Sequence, residues 1–317
     1  MATNGKRLQS GCRRHTVAAP RRPNGAARPP RWRAQLSDRP ATTWRLTGFG
    51  DEIDPDPAVQ LAVLQAVGAE CIEVRSAWGV NIVDLAPERL DELAGLVAGR
   101  GMSVSAIASP VGKAAVELPV EHELERLGRA IAAAHRLDAP YIRVFSFYRA
   151  EGRTPADVRD DVLQRMSALA RLAERQGVTL VHENEKDIYG DVPERVRDVV
   201  ESVGSERLRV AWDNANFVQV GVRPYTDGYA LLRPHLAYLQ VKDAVAATGE
   251  VVPAGDGDGE LLETVTALRD DGYEGFASLE PHLVVAGHSS GFSGPAGFGR
   301  AARAFRALTE RIGVGLT

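Results

Sequence analysis

From Trp44 onward the chain repeats one arrangement eight times, a short apolar run followed by a longer amphipathic stretch. The apolar runs are Arg45–Gly50, Cys71–Arg75, Ser103–Ser109, Tyr141–Phe145, Thr179–Glu183, Leu208–Asp213, Leu236–Gln240 and Gly275–Glu280. The stretches after them carry helical spacing, at Pro57–Val67, Pro87–Arg100, Glu121–Leu137, Thr154–Gln176, Val192–Val203, Pro224–Leu232, Leu261–Asp271 and Pro295–Glu310. Pro57, Pro87 and Pro155 stand where helices begin, and Gly68, Gly101, Gly177 and Gly272 where they end. Repeated strand–helix units build a parallel sheet, because each strand returns to the same edge through a helical crossover. Eight units in about 270 residues predict an α/β fold, a closed (β/α)8 TIM barrel over residues 44–317. An open doubly wound sheet would carry a glycine-rich phosphate loop after its first strand, and Leu46-Thr47-Gly48-Phe49-Gly50-Asp51 does not supply one.

Residues 1–43 read differently. They are rich in Arg, Pro, Ala and Gly and lack apolar periodicity, so they are expected to form a disordered basic N-terminal extension rather than a part of the core. Arg13-Arg14 is not followed by an apolar stretch of the kind an export signal needs. Charge divides along the same line. Residues 1–45 hold eleven Lys/Arg and one acid, a net of +10, and the remaining 272 residues carry −14. An acidic body repels a phosphate backbone, so no nucleic-acid partner is expected. No apolar run approaches a membrane span. Cys12 and Cys71 are the only cysteines, which points away from a disulfide framework and toward a reducing, cytoplasmic setting.

The chemistry-bearing residues lie at the strand ends. The fifth to eighth apolar runs finish on Glu183, Asp213, Gln240 and Glu280, and a barrel keeps its active site at the C-terminal ends of its strands. Residues i and i+2 of a strand share a face, so Lys242 and His282 are expected just above these four, nearer the mouth, while His182 turns toward the helices. Each acid alone reads as a solvated strand end or a helix cap. Three carboxylates converging beside one amide from successive strands cannot all stay ionised without a cation. An all-oxygen set suits a divalent ion, Mn²⁺ or Mg²⁺ first, with Co²⁺ or Zn²⁺ as further candidates. Lys113 and Arg75 are candidate substrate contacts, and Trp78 and Phe145 a candidate apolar wall. The glycines at 255–259 lack the surroundings of a nucleotide loop and read as a flexible rim loop.

These segments carry a resemblance. His182-Glu183-Asn184-Glu185-Lys186-Asp187, Asp213-Asn214-Ala215-Asn216-Phe217, Gln240-Val241-Lys242-Asp243 and Leu279-Glu280-Pro281-His282 resemble the sugar phosphate isomerase/epimerase family of the xylose-isomerase-like barrel superfamily. Asp51-Glu52-Ile53, Glu73-Val74-Arg75 and Ser109-Pro110-Val111-Gly112-Lys113 look like this family too, and the similarity spans about residues 46–310. The resemblance implies a metal-dependent enzyme of a sugar, keto-sugar or cyclitol. It maps the family's Glu–Asp–His–Glu metal set onto Glu183, Asp213, Gln240 and Glu280, with Gln240 standing where the family commonly has His. It also implies that Glu183 and Glu280 are the proton-transferring pair, passing through an enediolate. By their positions, Lys242, His282, Lys113 and Arg75 are the candidate substrate-binding residues, with a salt bridge to a rim acid as the plainer reading of Lys242. On the same site a leaving group beside the reacting carbon turns isomerase into lyase or dehydratase. An abasic-site endonuclease would need a His-rich multi-zinc site and a cationic face. A non-catalytic sugar-binding barrel would bind no metal. The expected partner is a small carbohydrate, with no membrane, and a homo-oligomer is compatible with all of this.

Overall fold

The computed structural model of the chain describes residues 42–286 and 291–317. The expected extension lies outside the described residues as far as residue 41, and so do Cys12 and His288. Eight parallel strands form the barrel: β1 Thr43–Gly48, β2 Cys71–Val74, β3 Ser103–Ile107, β4 Tyr141–Val144, β5 Thr179–Glu183, β6 Leu208–Asp213, β7 Leu236–Val241 and β8 Phe276–Leu279. β1 begins two residues before the apolar run that announces it, because Thr43 pairs with Gly315 of the C-terminal strand Gly315–Leu316. The sheet runs from β2 through β3 to β8 in order and on to β1. β8 pairs with β1 from Phe276 opposite Arg45 to Leu279 opposite Gly48. The ring closes between β1 and β2 by a bridge from Phe49 to Glu73.

The connecting helices are α1 Pro57–Ala66, α2 Pro87–Gly99, α3 Val120–Leu137, α4 Pro155–Gln176, α5 Pro193–Val203, α6 Asn214–Val218, α7 Leu261–Asp270 and α8 Gly294–Arg311. α4 starts with a capping box, in which Thr154 and Asp157 each bond the other's backbone N–H, and stops at Gly177 with φ +71°. On α3 the buried positions Leu127, Ala130, Ile131, Ala134 and Leu137 recur at helical spacing. Each large aliphatic side chain buried this way contributes about 2 kcal/mol. The sixth crossover departs from the expected helix. Pro224–Tyr229 is wound as a π-helix before the short turn Ala230–Leu232. Gly228 lies so close to Pro193 that a Cβ would meet its Cγ at 2.8 Å, so only a glycine lets this segment pack there. No helix among the described residues is long and apolar enough to cross a membrane.

Between strands and helices the core is continuous and apolar. Inside the barrel the lower layer is also apolar, made by Cys71, Ala106, Val181, Ala211, Tyr238 and Phe276. Above it the interior turns polar. Ser105 Oγ lies 2.8 Å from Thr47 Oγ1 and 2.9 Å from Tyr238 OH. Tyr238 OH donates to Glu73 at 2.9 Å and Ser278 Oγ donates to the same carboxylate at 2.5 Å. Buried polar groups persist only when hydrogen-bonded, and this chain of bonds leads from the apolar floor to the strand ends.

Candidate active site

Glu183 closes β5, Asp213 closes β6 and Glu280 follows β8. All three are buried, and one carboxylate oxygen from each lies within 4.8 Å of the others. Parallel pairing makes the convergence. Asp213 stands opposite Gln240, and Gln240 opposite Ser278, so the four ends face one space. The strand alternation read from the sequence holds, with Val181 beneath Glu183 and Tyr238 beneath Gln240 in the interior layer.

Each carboxylate is held by named donors. Asp213 Oδ1 caps α6 by accepting from Asn216 N at 2.9 Å, leaving Oδ2 toward the centre. Lys242 Nζ lies 2.8 Å from Asp213 Oδ2 and 3.0 Å from Glu280 Oε2. Glu183 Oε1 accepts from Asn216 Nδ2 at 3.2 Å and Oε2 from Arg143 Nη1 at 3.1 Å. Arg75 donates from Nη1 to Glu280 Oε1 at 2.9 Å and from Nε to Asp51 Oδ2 at 2.8 Å. His282, at φ +45°, brings Nε2 to 3.0 Å from Glu52 Oε1 and 3.4 Å from Glu280 Oε1.

Burial and crowding set the protonation of the three acids in opposite directions. Burial, helped by the neighbouring Glu280 and Asp213 charges and opposed by Arg143 and Lys242, pushes Glu183 up to about 8. Burial likewise raises Asp213 to about 6, against Lys242. For Glu280 the burial penalty is outweighed by Lys242, His282 and Arg75, and the group is held well below the usual carboxylate range. Lys242 stays charged, because Asp213, Glu280 and Glu183 outweigh its own burial.

Gln240 tests whether a metal fits. Its Nε2 donates to Glu73 Oε1 at 3.2 Å and Oε2 at 3.4 Å. Its Oε1 is buried and finds no hydrogen-bond partner among the described residues. A buried acceptor left open beside three carboxylates fits a fourth oxygen ligand for a hard divalent ion.

The expected residues thus fall in two groups. Glu183, Asp213, Glu280, Lys242, His282 and Arg75 are in mutual contact. Lys113 is not on the triad; it pairs with Glu185 at 3.0 Å, over the ring of Phe145. Phe145 lies beneath Lys113 and Arg143, whereas Trp78 carries Arg89 over its ring. His182 is buried among packed groups, as its outward position implies, and burial depresses it to about 3, so it is neutral. The glycine-rich rim corrects the sequence reading. It is pinned rather than flexible, since Gly255, Gly257 and Gly259 donate their backbone N–H to Asp243. Arg143, Glu73 and Asn216 were not singled out as site residues. Arg143 had a signal, a charge in mid-strand where both strand faces are buried.

The fold and site define a xylose isomerase-like TIM barrel, and the model of that family matches residues 61–308. The chain belongs to this family. It is 30% identical over 234 residues to the 2-epi-5-epi-valiolone 7-phosphate 2-epimerase of an Actinoplanes species, covering 72% of this chain and 80% of the relative. Among solved structures it resembles a D-tagatose 3-epimerase-like protein with a TM-score of 0.69 at 15% identity, covering 84% of this chain and 98% of the other. It also resembles a xylose isomerase-like barrel of Mycobacterium smegmatis in complex with magnesium, with a TM-score of 0.64 at 19% identity over 86% and 99% of the two chains. These comparisons place the chain among sugar epimerase and isomerase-like enzymes.

Proposed function

We propose that this protein is a divalent-metal-dependent epimerase or isomerase of a polyhydroxy-ketone, a keto-sugar or a cyclitol. The observation that carries the reading is the set of three buried carboxylates within 4.8 Å beside the open Oε1 of Gln240. Glu183, Asp213, Gln240 and Glu280 would hold the ion, Mn²⁺ or Mg²⁺ by the hardness of four oxygens. The ion supplies Lewis-acid polarisation of the substrate carbonyl, which acidifies the neighbouring C–H.

The chain's own residues then do the proton work. Glu183 and Glu280 each bring a carboxylate oxygen within 4.8 Å of the other, so a substrate carbon bound beside them would lose its proton to one carboxylate, form an enediolate and regain a proton from the other. Asn216 and Arg143 fix the two oxygens of Glu183, and Arg75 and Lys242 those of Glu280, so neither carboxylate turns away. Lys242 and His282 stand beside Glu280 with donors suited to substrate oxygens. The relative named as a valiolone 7-phosphate 2-epimerase supports a cyclitol-like substrate.

The test is incubation with a panel of ketoses and inososes in deuterated water with added Mn²⁺. Deuterium at one carbon of the recovered compound, with inversion or carbonyl migration, is the expected result. Expulsion of a neighbouring group instead assigns a lyase. No exchange with any member of the panel, together with no Mn²⁺ binding in titration, overturns the reading.

A further inference from the structure

Glu73 stands on β2 inside the barrel, two residues above Cys71 of the apolar floor, and takes no part in the proton transfer proposed above. Its hydrogen-bond partners are neutral. Tyr238 OH donates to Oε2 at 2.9 Å, Ser278 Oγ donates to Oε2 at 2.5 Å, and Gln240 Nε2 donates to Oε1 at 3.2 Å. All four residues are buried. A carboxylate held in an interior by neutral donors is costly, and an apolar side chain would fill the same space with less penalty. What the carboxylate adds is an acceptor set against the Gln240 amide.

We infer that Glu73 is a positioning residue: it holds the Gln240 amide with its oxygen toward the carboxylate cluster, so that the two residues act as one unit in binding the metal. This goes beyond the proposed function and rests on its reading of Gln240 as an oxygen ligand.

The two ends of a glutamine amide are alike in size and shape, and only hydrogen-bond partners decide which end faces a ligand. Here Nε2 meets the acceptor Glu73, and Oε1 is left buried and open. The backbone is shaped for this meeting. Pairing of β2 with β3 slips by one residue between Ile72 and Glu73, passing over Ser105. Pairing of β6 with β7 slips between Val210 and Ala211, passing over Ala237. A bulge re-aims the side chains that follow it, and those are Glu73 on one strand and Tyr238 and Gln240 on the other. The hydroxyls are aligned to the same end. Tyr238 uses its single O–H on Glu73, so at 2.9 Å it accepts from Ser105 Oγ, which lies 2.8 Å from Thr47 Oγ1.

The hydroxyls and the amide use different oxygens of Glu73, and this determines how the arrangement fails. Tyr238 and Ser278 both bond Oε2, whereas Gln240 Nε2 is nearer Oε1, at 3.2 Å against 3.4 Å. In Glu73→Gln the introduced amide oxygen takes the Oε2 place, because two hydroxyls donate there. The introduced nitrogen then takes the Oε1 place and faces Gln240 Nε2. Two NH2 groups oppose one another, and Gln240 turns over, presenting donors to the carboxylate cluster in place of an acceptor. An amide NH2 offers a cation no ligand atom.

Mn²⁺ is titrated into the full chain, Glu73→Gln, Gln240→Leu and the double variant, with thermal melts to show that each folds. The expected result is binding weakened about tenfold by Glu73→Gln in the parent and unchanged by it in the Gln240→Leu background, because the amide through which it acts is gone. Equal weakening in both backgrounds overturns the inference, since Glu73 then acts on the fold or on another ligand. No weakening in the parent overturns it as well. The Gln240 amide also reports with Glu73 intact. Its NH2 resonances, identified in isotope-labelled protein by their absence from Gln240→Leu, should exchange slowly with water in the Mg²⁺-loaded parent. Exchange as fast as that of exposed amides overturns the inference, whether or not Glu73→Gln folds. A parent that binds no metal, or Gln240→Leu binding Mn²⁺ like the parent, strikes the ligand reading itself, and the inference falls with it.

Discussion

The Nε2 of Gln240 donates to both oxygens of Glu73, at 3.2 and 3.4 Å, and this fixes which end of the amide is left for the carboxylate cluster. Glu73 is buried and also accepts from Tyr238 and Ser278, so the groups around it face it as donors and the amide nitrogen fits that pattern. Removing the carboxylate should unpin the amide. Glu73→Gln is expected to weaken Mn²⁺ binding about tenfold, as loss of a residue supporting a ligand does elsewhere. Gln240→Leu should weaken it further, and Gln240→His should retain metal while shifting preference toward Zn²⁺, because imidazole nitrogen is the softer donor. Metal titrations of the three variants check this, and Mn²⁺ bound by Gln240→Leu as tightly as by the parent would remove Gln240 from the ligand set.

Glu183→Gln and Glu280→Gln should each lower turnover by at least about a hundredfold, since each removes a proton carrier as well as a metal charge. Deuterium exchange into substrate is the sharper readout. A variant that exchanges at the parent rate takes its residue out of the mechanism.

Lys242 contests the metal site. Its ammonium occupies Asp213 Oδ2 and Glu280 Oε2, two oxygens that an ion would need. Lys242→Gln removes both the competitor and a positive charge, so Mn²⁺ affinity should rise about tenfold, with the gain shrinking as salt screens the remaining charges. Equal or weaker Mn²⁺ binding in the variant would show that the lysine does not compete.

Gly112→Ala should destabilise the protein by more than about 2 kcal/mol, because its positive φ and the facing carbonyl of Phe145 both exclude a side chain. Urea unfolding measures it. A midpoint within error of the parent would mean that the Lys113 loop is not pinned there.

His182 makes stability depend on pH. Burial holds it near 3 in the folded state, below its ordinary 6.5, so between these values the unfolded chain binds the extra proton. Its contribution is therefore whole above pH 6.5 and is lost as pH falls toward 3, by up to about 1.4 kcal/mol per pH unit. Relative to His182→Leu, the parent should lose stability between about pH 7 and about pH 5 in urea titrations. Parallel curves for the two proteins would show that this histidine does not stay neutral.

The eight-fold order of strands and helices was legible along the chain because hydrophobic periodicity, prolines at helix starts and glycines at helix ends are local properties. Thr179–Glu183 and Leu208–Asp213 were placed to the residue. The strand-end acids were legible for the same reason, since a parallel barrel brings consecutive strand ends to one face. The partners of those acids were not. Arg143 reaches Glu183 from the neighbouring strand β4 and comes near Glu280 on β8, while Glu73 reaches Gln240 across the barrel from β2, over 167 positions of sequence. Such contacts depend on the closure of the ring, which no local pattern encodes. The glycine-rich rim shows the same limit, for its composition speaks of freedom while the Asp243 carboxylate, two residues past the end of β7, gathers its amides and removes it. Local sequence determined which residues end the strands; only the closed barrel decided which charges face one another, because electrostatic contact is a property of distance in space and not of distance along the chain.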